Sequence, residues 1–297
     1  MTSTLRLLLS DIKVSHTVFA MPFALLGAFM AATYEGPIEW HTFAGQLILV
    51  VACMFFARNF AMLSNRITDV SIDAENPRTR NRAIASGRVS INQARQFQVF
   101  NLALFVTATL GFAFFWDNWL PLQCSLVVLF WLYLYAYMKR FTWLCHVYLG
   151  SSLALSPICA SIAIDPSFLS SASIWLLSSS VMCWVAGFDI IYALQDVDID
   201  KRDNLRSIPA SLGVKPAILI SQCLHAICVA CLFGVAVSDD AFGYLYFGAV
   251  VFVSIVLIVE HMTVKKWGTT KIALAFFTLN GVISIALGTS GIVDLLL

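Results

Sequence analysis

Ala172-Ser-Ile-Trp-Leu-Leu-Ser-Ser-Ser-Val-Met-Cys-Trp-Val-Ala-Gly-Phe-Asp189-Ile-Ile-Tyr192-Ala-Leu-Gln-Asp196-Val-Asp-Ile-Asp200 decides how this chain is read. A long apolar run ends in a cluster of carboxylates. About 20 apolar residues in a helix cross the ~30 Å hydrocarbon layer of a membrane. The same design occurs earlier, where the apolar stretch 42–64 leads into Asp69-Val-Ser-Ile-Asp73. Arginines follow both clusters: Pro77-Arg78-Thr79-Arg80 and Ser86-Gly87 after the first, and Lys201-Arg202, Arg206 and Leu212-Gly213 after the second. Such a repeat of apolar helix, acidic end and basic loop predicts pseudo-symmetric halves facing one cavity.

Working outward, the remaining apolar segments are 15–34, 96–116, 119–138, 142–164, 215–237, 241–260 and 272–293, which with 42–64 and 170–194 make nine. The chain has 297 residues, of which 60% are hydrophobic and only 12% charged. Its mean hydropathy is +0.84. Soluble domains average about 25% charged residues, so the bilayer is the expected solvent. The predicted fold is an all-α, polytopic membrane bundle of about nine transmembrane helices, pseudo-symmetric around a central cavity. Residues 1–297 are expected to form a single integral membrane domain, since no Gly/Ser linker divides them. The first apolar segment is too long for a signal-peptide core and lacks a good cleavage site, so it reads as a retained span.

Charge gives the sidedness. All 18 Lys and Arg fall on or beside alternate connections, while the other loops carry Glu35, Glu39, Asp117, Asp165, Asp239 and Asp240. The positive-inside rule then places the N-terminus and both aspartate clusters in the cytoplasm. Lys13 and His16 read as interfacial anchors of the first span. The eight cysteines are mostly scattered through apolar segments, and Cys223, Cys228 and Cys231, which cluster in one span, read as small apolar residues. The aromatic-rich run Leu129 to Ala136 reads as lipid or core packing.

Asn65, Asp69 and Asp73 stand at i, i+4 and i+8, and on a helix they form one stripe about 12 Å long. Asp189, Tyr192, Asp196 and Asp200 share a face in the same way; Asp198 points off it. A single acidic loop beside arginines would read as a solvated rim of ion pairs. Two copies of D-V-x-I-D on one membrane face read instead as two halves of a metal site. Mg²⁺ prefers oxygen ligands and is usually held by one or two carboxylates plus substrate phosphates. Two facing stripes suit a diphosphate bridged by such ions, whose charge stabilises a departing diphosphate. Arg78, Arg80, Arg82, Lys139 and Arg140 are placed to add charge-assisted hydrogen bonds to phosphate oxygens. Arg58 and Asp189 lie within apolar segments, where a charged group faces a cavity or a partner. Arg58, seven residues before Asn65, shares the acidic face; snorkelling to the interface is its alternative.

These residues resemble a known family. Asn65-x3-Asp69-x3-Asp73, Pro77-Arg78-Thr79-x-Asn81-Arg82 and Ser86-Gly87-Arg88 resemble the first signature of UbiA-type prenyltransferases. Asp189-x2-Tyr192-x3-Asp196-x3-Asp200 with Ser207-Ile208-Pro209 resembles the second. The resemblance covers essentially the whole chain, because that family has nine transmembrane helices. It implies Mg²⁺-dependent transfer of a polyprenyl group from its diphosphate to an aromatic hydroxy acid, in the respiratory quinone pathways of a bacterial inner membrane. Asp69, Asp73, Asp196 and Asp200 would then hold the ions, with Asn65 assisting, and Arg78, Arg80 and Lys139 would grip the diphosphate. Asp189, Tyr192 and Arg58 would orient the acceptor, with Asp189 taking up a proton.

The chain departs from the 4-hydroxybenzoate pattern in two places. Arg66 stands where those enzymes usually carry Asp, and Lys13-Val14-Ser15-His16 replaces a usual Lys-Pro. Gln195-Asp196-Val197-Asp198 and Ser207-Ile208-Pro209 resemble a sister branch acting on 1,4-dihydroxy-6-naphthoate in a menaquinone route. Both acceptors are carboxylated phenols. The compact D-G-x2-A-R cluster of phosphatidyltransferases does not occur, nor does any nucleic-acid motif. A transporter with inverted repeats would keep its ligand groups near the membrane midplane and would need broken helices, for which Ser156-Pro157 is the one candidate.

Overall fold

A computed structural model describes residues 2–12, 19–272 and 274–297. Lys13 and His16 lie outside the described residues. The chain is helical: α1 (Thr2–Asp11), α2 (Met21–Ala32), α3 (Trp40–Thr68), α4 (Val70–Glu75), α5 (Ile91–Trp116), α6 (Leu120–Phe141) and α7 (Cys145–Ile164) form its first half. Then come α8 (Ala172–Ala193), α9 (Val197–Arg202), α10 (Ile208–Leu212), α11 (Val214–Ser238), α12 (Tyr244–Trp267) and α13 (Asn280–Leu296). Among the described residues, eight helices are long and apolar enough to cross a membrane. The shorter apolar helix α2 occupies the first expected segment, giving the nine apolar elements anticipated from sequence. The chain is an integral membrane protein.

Each acidic stripe differs from the straight helix its spacing predicts. α3 stops at Thr68, and α4 restarts after Asp69. The i→i−4 bonds persist across the break, from Asp69 N–H to the Asn65 carbonyl at 3.0 Å and from Asp73 N–H to the Asp69 carbonyl at 2.8 Å. In the second copy the chain tightens instead. Leu194, Gln195 and Asp196 donate to carbonyls three residues back before α9 begins. The cause is electrostatic. A helix C-terminus repels carboxylates, whereas an N-terminus attracts them. Restarting the helix turns Asp73, and likewise Asp198 and Asp200, into first-turn acids of a new helix.

The core is built around α8, which contributes Ile174, Leu177, Val181, Trp184, Val185 and Phe188 to the largest cluster of buried apolar side chains. α7 packs closely on it: a Cβ on Gly150 would collide with the Met182 carbonyl. α7 runs unbroken through Pro157. Proline has no N–H, so the Leu153 carbonyl loses its helical donor, and the Ser156 hydroxyl donates to it at 2.7 Å. Inside a membrane such a local substitute keeps a helix intact. This removes the interrupted span that a transporter reading requires. Phe114, Phe115, Leu126 and Phe130 are exposed on α5 and α6 and form a lipid-facing surface.

On the face with the aspartates the connections bond to one another. Arg206 N–H donates to the Lys139 carbonyl at 2.7 Å, and Arg140 Nη2 donates to the Thr68 carbonyl at 3.1 Å. α1 docks here through Leu8 and Ile12, which pack with Leu63, Ala83, Ile84 and Val89. On the opposite face the Asp294 carboxylate accepts from Gly243 and Tyr246 N–H, tying the end of α13 to the start of α12.

Candidate functional site

A cavity of about 430 Å³ opens among α3, α5, α6, α7 and α8. Lys139 and Pro121 both line it and stand 18 residues apart on α6. At 1.5 Å per residue it therefore runs about 27 Å, nearly the thickness of the hydrocarbon layer. Its deep wall is apolar, with Val50, Met54, Phe112, Val128, Leu153 and Ala160. Its mouth holds Asn65, Asp69, Asp73, Asp189, Tyr192, Asp196 and Asp200. An apolar shaft closed at one end by converging polar groups fits an amphiphile with an ionic head and a hydrocarbon tail.

The two acidic segments meet at this mouth, and basic side chains bridge them. Arg78, in the loop after α4, grips Asp196 with Nε at 3.2 Å and Nη2 at 2.6 Å, while its Nη1 donates to the Tyr192 hydroxyl at 2.7 Å. Asn76 from the same loop donates to Asp196 at 3.3 Å. Asp69 accepts from Lys139 Nζ at 2.5 Å, Arg140 Nη2 at 2.8 Å and Asn65 Nδ2 at 3.2 Å. Arg82 Nη1 donates to both oxygens of Asp73, at 2.8 and 2.7 Å. The Ser207 hydroxyl donates to Asp200 at 2.6 Å. Burial pushes the Asp200 carboxyl above the usual range, against the opposing pull of that hydrogen bond. Asp69, Asp73 and Asp196 thus pair with arginine and lysine, as a charged rim would, but they do so around a cavity.

Asp189 stands one turn before Tyr192 on α8. His146, near the start of α7, places Nδ1 2.7 Å from its Oδ2. The other ring nitrogen, Nε2, accepts the Ile208 N–H at 3.3 Å. A neutral ring that accepts at Nε2 carries its proton on Nδ1, so His146 donates to Asp189 and fixes its orientation.

Arg58, Arg78 and Lys139 line the cavity, as do Asp69, Asp73, Asp189, Asp196 and Asp200. Arg80 differs from its expected role: it is exposed and absent from the cavity wall, where Arg82 stands instead. The loop between α4 and α5 lacks helical periodicity, so spacing alone does not distinguish the two. His146, Asn76 and Ser207 were not singled out as site residues from sequence. For His146 and Asn76 the signal was polarity beside the ends of spans, and for Ser207 it was the Ser207-Ile208-Pro209 segment. Tyr135, within the aromatic run assigned to packing, also lines the cavity.

The donor set suits Mg²⁺. Carboxylate and amide oxygens surround the mouth, with no cysteine bridging the two acidic segments. Among the described residues no group of three or more His, Cys, Asp or Glu side chains converges to cage an ion unaided. An ion held here by one or two carboxylates would complete its shell with phosphate oxygens, the usual Mg²⁺ arrangement.

Comparison with known proteins gives the family and the fold. A 4-hydroxybenzoate octaprenyltransferase of Edwardsiella ictaluri is 27% identical over 237 residues, covering 80% of this chain and 79% of that protein. A UbiA homologue from Aeropyrum pernix K1, solved in its apo form, superposes with a TM-score of 0.81 at 30% identity over 95% of this chain and 98% of its own. A UbiA homologue from Archaeoglobus fulgidus, solved with GPP and Mg²⁺, shares the fold with a TM-score of 0.73 at 17% identity, covering 98% of this chain and 100% of its own. The model of the UbiA prenyltransferase family matches residues 20–282, and the chain belongs to that family.

Proposed function

We propose that this membrane prenyltransferase moves a polyprenyl group from polyprenyl diphosphate to the ring of an aromatic hydroxy acid of the 4-hydroxybenzoate type. The reaction would serve respiratory quinone biosynthesis at a bacterial inner membrane, with the mouth of the cavity facing the cytoplasm and residues 1–297 acting as one domain. The observation that carries this reading is the meeting of both acidic segments, bridged by Arg78, at the mouth of a membrane-deep apolar shaft.

In this reading Asp69, Asp73, Asp196 and Asp200 hold Mg²⁺, with Asn65 assisting. The bound metal supplies positive charge that stabilises the diphosphate as the C–O bond breaks. Arg78, Arg82 and Lys139 orient the phosphates, and the apolar wall takes the prenyl chain and excludes water from the allylic cation. Arg58 and Tyr192 orient the acceptor so that a ring carbon beside its hydroxyl faces that cation. The new C–C bond forms, and the displaced proton passes to Asp189, which His146 holds in place.

The second reading keeps this chemistry with 1,4-dihydroxy-6-naphthoate as acceptor. Its support is the Ser207-Ile208-Pro209 segment, which resembles that branch in sequence and bonds to Asp200 and His146 at the site. Membranes carrying the protein, incubated with labelled polyprenyl diphosphate, Mg²⁺ and each acid, should yield one prenylated product and lose it on chelation. Product formation with Asp69 and Asp196 both changed to Ala would refute the site, and absence of product with both acids would refute the acceptor class.

A further inference from the structure

Arg66 is almost fully buried, at 7% exposure, yet it lines the cavity. Its guanidinium donates to two neutral oxygens, from Nη1 to Asn65 Oδ1 at 2.8 Å and from Nε to the Asp11 carbonyl at 3.5 Å, the latter a weak bond. Among the described residues it has no carboxylate within ion-pairing distance. The nearby acids are engaged elsewhere. Asp11 accepts from Ala83 N–H at 2.9 Å and Ile84 N–H at 3.3 Å, and Asp73 takes Arg82. Two helix ends stabilise the cation in place of an anion: Arg66 lies in the last turn of α3 and meets the carbonyl end of α1. A buried cation on a cavity wall that is held only by neutral oxygens favours an incoming anion.

Arg58 enters the same place from eight residues deeper in α3. Its Nη2 donates to the Ile12 carbonyl at 3.2 Å, one peptide unit from the carbonyl that holds Arg66. Two guanidiniums therefore converge at the end of α1. Arg78, Arg82, Lys139 and Arg140 each contact a carboxylate of the acidic segments, whereas Arg66 contacts none of the four. The diphosphate end of the site is thus supplied by other groups.

We infer that Arg66, beside Arg58, binds the carboxylate of the aromatic acceptor, so that this position selects acids over neutral phenols. This rests on the proposed function and adds the group that recognises the acid. Arginine presents a planar fork that a carboxylate matches bidentately, which lysine does not.

Binding reads this without turnover. The full-length protein in detergent, loaded with Mg²⁺ and geranyl thiolodiphosphate, is titrated calorimetrically with 4-hydroxybenzoate and with its methyl ester. The wild type should prefer the acid. Arg66→Gln should weaken the acid about 10- to 100-fold, the range for a lost charged hydrogen bond, and the ester less than twofold. Equal losses for acid and ester would make Arg66 merely structural, and loss of thiolodiphosphate affinity with the acid unaffected would assign it to the diphosphate. Either result overturns the inference. If Arg66→Gln does not fold, Arg66→Lys keeps the charge, and an unchanged acid-to-ester ratio in it overturns the inference equally. A wild type that binds neither compound overturns the acceptor class itself, whereas a wild type that binds the acid alongside an indifferent Arg66→Gln leaves the proposed function standing.

Discussion

The contact between His146 and Asp189 is best tested by a double-mutant cycle. If Asp189 accepts the ring proton, Asp189→Asn removes a general base, an effect of about 10²- to 10⁴-fold on kcat. At about 1.4 kcal/mol per decade this is roughly 3–5 kcal/mol of barrier. His146 acts through Asp189, so its own contribution is that of one hydrogen bond to a charged partner. The Nδ1–Oδ2 distance is 2.7 Å, and the His146 side chain is 4% exposed. Such a bond is worth about 1.5–3 kcal/mol, so His146→Gln should cost about 10- to 100-fold in kcat. Glutamine retains an oxygen able to accept the Ile208 N–H, which limits damage to the fold. In the Asp189→Asn background no charged acceptor remains, so His146→Gln should cost about twofold or less. The predicted coupling is therefore about 1–3 kcal/mol. The assay is single-turnover transfer of labelled prenyl chain at saturating acceptor, which separates chemistry from binding and release. If His146→Gln lowers the rate equally in both backgrounds, His146 does not act through Asp189 and the positioning argument fails.

Arg78→Met removes the three hydrogen bonds that join the loop after α4 to Asp196 and Tyr192. Because Arg78 is about one-third exposed, solvent screening discounts the loss. kcat/KM for prenyl diphosphate should fall about 10- to 100-fold, and an unchanged KM with normal kcat would remove Arg78 from donor binding. Ser207→Ala takes away the hydrogen bond that opposes the upward shift of Asp200. In its proposed role Asp200 would hold metal only when ionised, so the acid limb of the rate–pH profile should move to higher pH, and a shift to lower pH would contradict the assignment. The raised folded value also means that Asp200 contributes stability at low pH that is lost as pH rises through that value. Gly150→Ala drives a Cβ into the Met182 carbonyl and should destabilise the α7–α8 contact by about 1–3 kcal/mol, read as a lower Tm in detergent. A Tm equal to wild type would show that the helices can separate there at no cost.

How much of this was legible in the sequence differs between elements for physical reasons. Membrane spans announce themselves because each must bury its own backbone hydrogen bonds and present apolar side chains along its whole length. Helical spacing likewise grouped Asn65 with Asp69, and Asp189 with Tyr192. The breaks at Asp69 and Asp196 were not read, although the helix dipole supplies a reason for them in the acids themselves. His146 is the harder case. It stands 43 residues from Asp189 on a different helix, and no periodicity relates two helices whose packing angle is set by residues such as Gly150. Arg80 departs in another way: it lies in a loop, where a two-residue shift separates it from Arg82 on the cavity wall with no repeating pattern to announce it.

The pairing of acids with bases at the mouth explains how so much charge is tolerated at the edge of the bilayer. Asp69, Asp73 and Asp196 carry cationic partners, and Asp200 carries Ser207 and a raised carboxyl value. Four unpaired carboxylates at this depth would cost several kcal/mol each in desolvation. In the proposed function, a diphosphate entering with divalent cations would offer both sides an exchange: the arginines and lysine would gain phosphate oxygens, and the carboxylates would gain metal. The site therefore need not be stable as an open acidic cage, which fits the absence of any three-ligand cluster among the described residues. Arg78 is central to that exchange because it joins the loop of the first acidic segment to both Tyr192 and Asp196 of the second. Moving its guanidinium onto a phosphate would free Asp196 for metal and the Tyr192 hydroxyl for the acceptor in one step. For that reason the Arg78→Met effect is expected in donor binding and acceptor use together, and not in stability alone.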